Sequence, residues 1–88
     1  MPYVTKQQRE RLDGLIKKSF EEFAYKDPGE INYFISSILW RIFKDEPRYS
    51  TGNMILGILE AVKLEFYRRQ LAALEERKIQ DNGDLDLS

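Results

Sequence analysis

The sequence predicts an all-α protein of three helices, at about residues 5–25, 28–45 and 51–80, the last one long. Apolar residues recur at three- and four-residue spacing along most of the chain. Two well-formed helix starts and one glycine stop punctuate that pattern. With 42% apolar and 33% charged residues, the 88-residue chain has the make-up of a folded domain and not of a disordered tail.

The first helix opens at Thr5-Lys6-Gln7-Gln8. Thr5 can cap it while Gln8 reaches back, as in a capping box. Leu12, Leu15, Ile16, Phe20, Phe23 and Ala24 then form one apolar stripe. Gly14 interrupts it, marking either a close helix contact or simply a weak turn, at a cost of about 1 kcal/mol relative to alanine. The second helix starts at Asp27-Pro28-Gly29-Glu30, with a capping aspartate, a proline at the first helical position and a glutamate at the third. Ile31, Phe34, Ile35, Ile38, Leu39, Ile42 and Phe43 follow, and Tyr33 and Trp40 widen the apolar arc. A helix apolar nearly all round is central or lies at an interface. Pro47 ends it.

Ser50 and Thr51 are candidate caps for the third helix. At about 1.5 Å per residue, this helix exceeds the width of an 88-residue globule, roughly 25 Å. Its first half carries a stripe at Ile55, Leu59, Val62 and Phe66. Its second half carries another at Leu64, Tyr67, Leu71 and Leu74, near coiled-coil spacing. Two stripes imply two partners, the helix's own domain and a second chain, so a homo-oligomer is expected; the alternative is that the first two helices cover both. Asn82-Gly83 stops the helix. The expected organisation is a single helical domain, residues 1–80, with an acidic tail, residues 81–88.

Composition narrows the chemistry. The sequence has no histidine and no cysteine, which removes the commonest general base, the commonest zinc ligand and any thiolate site. Net charge is −1, distributed as +2 over residues 1–26, −1 over 27–49, +1 over 50–80 and −3 over 81–88. No segment is a basic arm, so a nucleic-acid polymer is not an expected partner. The N-terminal residues lack the apolar run of a signal peptide, and no uncharged apolar stretch is long enough to span a bilayer, so a cytoplasmic protein without membrane contact is expected.

The candidate ligand-binding group is Tyr67, Arg68 and Arg69. Arginine forks bind phosphate or carboxylate bidentately, and a tyrosine adds a stacking face and a hydroxyl. Glu65 lies three and four residues before the arginines, so ordinary intrahelical ion pairs also account for them. Arg41, Arg48 and Tyr49 form a second aromatic-basic group with Lys44, where cations also suit a helix C-terminus. Together at a subunit junction, the two groups would make an anion pocket, with Tyr33 and Asn32 as further contacts. For Asn32 a bond to a neighbouring backbone group is the favoured expectation, and a ligand base the alternative.

Other chemistries find less. Glu21-Glu22 begins a helical pyrophosphatase pattern that Tyr25 breaks, and Glu60 and Glu65 do not share a narrow helical face. Glu75-Glu76 beside Arg77-Lys78 reads as a solvated charge belt. Ser36 and Ser37 have no histidine to activate them. Asp81-Asn82-Gly83-Asp84 is a fragment of a calcium loop without its remaining ligands. No metal site and no cofactor is expected.

"MPYVTKQQRERLD", "GEINYFISSIL", "GILEAVKLEFYRR" and "ERKIQDNGD" together resemble a family of small uncharacterised helical proteins found in phage, archaeal and bacterial genomes. The resemblance runs from Met1 to about Asp84 and is most specific at Asn32-Tyr33, Glu65-Phe66-Tyr67-Arg68-Arg69, and Lys78-Ile79 with Asn82-Gly83-Asp84. It departs at Ala73-Leu74, where Pro-Tyr is expected, and that departure lets the third helix run on. The resemblance implies a helical fold and a phage setting, but no mechanism. By analogy with phage proteins that sequester nucleotide immune signals, the leading expectation is a non-enzymatic oligomeric counter-defence protein. It would hold a small anionic nucleotide at a subunit junction. The alternative is a module that docks a host or phage protein through exposed apolar helix surface. A metal-dependent nucleotide pyrophosphatase is third.

Overall fold

A computed structural model of the chain describes residues 4–23 and 27–85. They form α1 (Lys6–Glu22), α2 (Pro28–Asp45), and then α3 (Tyr49–Phe66), a π-helical turn (Tyr67–Leu71) and α4 (Ala72–Asn82). The last three are consecutive and make one unbroken helix of 34 residues. There is no strand among the described residues. The chain divides into two units, Met1–Arg41 and Ile42–Ser88.

In the first unit, α1 starts as its sequence dictates. The Gln8 N–H donates to Thr5 Oγ1 at 3.1 Å, and the Thr5 N–H donates to Gln8 Oε1 at 2.8 Å. This reciprocal box satisfies two of the donors that a helix start leaves open. The helix ends at Glu22, earlier than the expected residue 25, because Phe23 leaves helical geometry with φ −76° and ψ 112°. Ala24, at the end of the expected stripe, lies outside the described residues. The Phe23 ring instead meets Phe34 of α2 edge to face, with centroids 5.3 Å apart and planes at 84°. That is a preferred aromatic geometry. Gly14 has nothing within 4 Å of the position a Cβ would occupy, so it marks no close contact among the described residues.

The start of α2 also follows its signals. Asp27 Oδ1 accepts the Gly29 N–H at 2.9 Å. Glu30 stands in the first turn, where a negative charge suits the helix dipole.

In the second unit, Phe43 at the end of α2 lies over the start of α3. A Cβ at Gly52 would meet Phe43 Cε1 at 3.7 Å, ordinary van der Waals contact. Neither Ser50 nor Thr51 caps α3. Arg48 occupies the cap position without a side-chain bond, and its carbonyl accepts the Gly52 N–H at 3.0 Å. Thr51 lies in the first turn and is buried. The helix therefore begins two residues earlier than expected.

The far end stops at Gly83, whose φ of +87° is a conformation that residues with a Cβ rarely adopt. Its N–H donates to the Ile79 carbonyl at 2.7 Å.

The expected core stripe of the long helix is not a core within this chain. Ile55 is the one buried apolar side chain among the described residues, at 9% exposure, while Leu59, Val62 and Phe66 are exposed. Leu15, Ile16 and Phe20 of α1 are exposed as well.

The π turn corrects the expectation of two separate stripes. The Ala72 N–H donates to the Tyr67 carbonyl, five residues back, so the turn holds one residue more than an α-turn. At about 100° per residue, a regular helix would place Leu71 roughly 140° and Leu74 roughly 80° from the line of Phe66. The extra residue brings them to within about 40° and about 20° of that line. Leu71 and Leu74 thus leave Leu64 and Tyr67 and continue the stripe of Ile55, Leu59, Val62 and Phe66.

Candidate functional site

Tyr67, Arg68 and Arg69 all fall in the π turn. π turns inside α-helices recur at functional sites. Both arginines point back to Glu65. Arg68 Nη2 donates to Glu65 Oε2 and Arg69 Nη1 to Glu65 Oε1, each at 3.2 Å. One carboxylate therefore serves two guanidiniums, and the cluster keeps a positive charge. The Arg69 hydrogen bond, aided by Arg68 and opposed by partial desolvation, holds the Glu65 carboxyl below the usual carboxylate range. Both guanidiniums remain largely open to water, at 73% and 54% side-chain exposure, so solvent screens these pairs.

Tyr67 is held from the other side. Its hydroxyl donates to Glu75 Oε2 at 3.4 Å, across eight residues. In a regular helix those positions lie about 80° apart; the extra residue of the π turn cuts that to about 20°. The sequence reading places Glu75 in a solvated charge belt and misses this contact. The five-residue step from Phe66 to Leu71 in the apolar pattern is the signal that reveals it.

Arg48 and Tyr49 of the second group do not join the first within one chain. Arg48 and Tyr49 open the same helix that carries Arg68 and Arg69 nearly twenty residues later. At about 1.5 Å per residue, that separation is about 30 Å along the axis. The ring of Tyr49 is exposed. Arg41, Tyr33 and Asn32 belong to the first unit. Asn32 Oδ1 accepts the Ser36 hydroxyl one turn on, at 3.3 Å, so its partner is a side chain and not the expected backbone group.

Among the described residues, no three acidic, histidine or cysteine side chains gather as a metal would require. The only further ion pair among them is Lys63 with Glu60 at 4.0 Å, exposed and one turn apart. None of their helices is long and apolar enough to cross a membrane.

The family described as Domain of unknown function (DUF6899) matches residues 1–85. The chain belongs to this family. Membership spans all three sequence helices and the Glu65–Arg69 cluster, and the family's description assigns it no activity. No curated protein and no solved structure matches the chain. The functional reading of this DUF6899 member therefore rests on its own residues.

Proposed function

We propose that the protein is a non-enzymatic docking module that binds another protein through the apolar surface of its helices. The observation that carries this reading is the exposure of large apolar side chains. Trp40 and Tyr33 of α2 are each 75% exposed, and Phe34, Ile35, Ile38, Ile42 and Phe43 on the same helix are exposed too. Soluble monomers rarely leave contiguous apolar surface of this kind uncovered, and aromatic residues are favoured anchors at protein interfaces. A sequence without histidine or cysteine is in keeping with binding without turnover.

A second reading has a specific observation in its favour. Glu65 alone balances Arg68 and Arg69, so a doubly charged phosphate could displace it and take both guanidiniums. On this reading the protein is an oligomeric sequestering protein for a small nucleotide signal, acting in the cytoplasm in a phage counter-defence setting. Arg48, Tyr49 and Arg41 would come from another copy. It ranks second because the arginines already have a partner and Arg48, at the far end of the same helix, does not converge on them in one chain. The pyrophosphatase reading is third, since Glu65, one of its candidate carboxylates, is engaged by both arginines.

Native mass spectrometry of the protein purified from its own cells tests the readings together. A stoichiometric protein partner that is lost on Trp40→Glu supports docking. A retained small-molecule mass that is lost on Arg69→Ala, with the assembly intact, replaces docking with sequestration.

A further inference from the structure

The π turn makes one seam of Ile55, Leu59, Val62, Phe66, Leu71 and Leu74. All six lie within about 40° of one line, over roughly 28 Å of helix. Among the described residues of the second unit, nothing covers this seam beyond its start, where Phe43 meets Gly52. Leu71 and Leu74 remain 40% and 41% exposed. A π turn gives up regular backbone hydrogen bonding, so a sequence that keeps one gains from the alignment it produces.

We propose that a second copy of this chain covers the seam, so that two long helices pair along it in a two-fold dimer. The inference rests on the docking reading above and names the occupant of one of its surfaces. Two observations favour a copy of the chain. The seam is a narrow stripe with mostly three- and four-residue steps, the form in which helices pair with each other. Its flanks carry both signs of charge, with Glu60, Glu65 and Glu75 against Lys63 and Arg77, so an identical chain meets no wall of like charge.

Sedimentation equilibrium and native mass spectrometry of the full chain test this with three variants. Inserting one alanine after Gln70 adds a residue beyond the one the π turn already holds and swings Leu71 and Leu74 about 100° off the seam. Leu71→Glu with Leu74→Glu places charge on it. Leu64→Glu, roughly 160° away, places the same charge off it. The expected result is a wild-type dimer, a Leu64→Glu dimer, and at least a hundredfold weaker dimerisation for the other two. Because those two variants can also lose their fold, a second measurement uses near-neutral changes. The chain has no cysteine, so Leu71→Cys and Leu64→Cys each carry a single thiol. Alkylation of the first is expected to be at least tenfold slower than that of the second in the assembled protein, and equal to it in denaturant. A wild-type monomer at all concentrations overturns the dimer and leaves docking to another protein standing. A dimer that survives the alanine insertion, with equal alkylation rates, overturns the seam. A mixed complex with one copy of this chain and one of another protein overturns self-pairing while supporting the docking reading.

Discussion

The Ala72 N–H donates to the Tyr67 carbonyl five residues back. This bond defines the geometry of the second unit, since it sets the phase of α4 against α3 and closes the turn that carries Tyr67, Arg68 and Arg69.

The Glu65 pairs carry a pH dependence. The folded carboxyl titrates below its unfolded counterpart, so the pairs contribute fully above the unfolded carboxylate range. That contribution fades as pH falls through the lowered folded value. Helix content followed by circular dichroism should drop on acidification through this window. Glu65→Gln should remove that part of the drop and leave the neutral-pH spectrum nearly unchanged, because the pairs are solvent-screened.

Thr5→Ala should cost about 1 kcal/mol of α1 stability by removing the box with Gln8. Amide exchange over α1 is the suitable measurement, since protection should fall at the first turn and not in α3.

Gly14→Ala should stabilise α1 by roughly 1 kcal/mol, because the new methyl group meets open space and alanine is the better helix former. Gly83→Ala should act in the opposite direction, at roughly 1 kcal/mol, because φ is +87° there. Thermal melts of the two single variants and the double variant would show opposite shifts that sum, as expected for separated sites.

Tyr67→Phe should leave assembly intact and free Glu75 from its hydroxyl partner. Removing a hydrogen bond at an exposed site changes stability by less than about 1 kcal/mol. A larger loss in thermal melts would assign the hydroxyl a partner in a second chain.

Capping chemistry is the most legible part of the sequence. Thr5 with Gln8, Asp27 with Gly29, and Gly83 each do locally what their residue types favour, and none depends on distant packing. Periodicity locates the helices but misjudges what they bury. Leu59, Val62 and Phe66 have the spacing of a core stripe and stay exposed, because spacing records which side chains share a face and not whether anything covers it. The π turn escapes for a related reason. A reading at 3.6 residues per turn splits a stripe wherever an extra residue enters, so it assigns Leu71 and Leu74 to a different face. At the site, Glu65 is legible as the partner of Arg68 and Arg69 because three- and four-residue pairs are local. Bringing Arg48 and Tyr49 to them is a long-range question. Within one chain, about 30 Å of continuous helix answers it.

The scarcity of buried side chains has a kinetic counterpart. A 34-residue helix with Ile55 as its one buried apolar residue forms by local steps, on the microsecond scale of helix–coil exchange. Little of its stability is then available to a lone chain, because tertiary packing supplies most of what holds protein helices together. Melting should be broad when dilute and should sharpen and move upward as protein concentration rises, with chain concentration acting on the equilibrium as a ligand would.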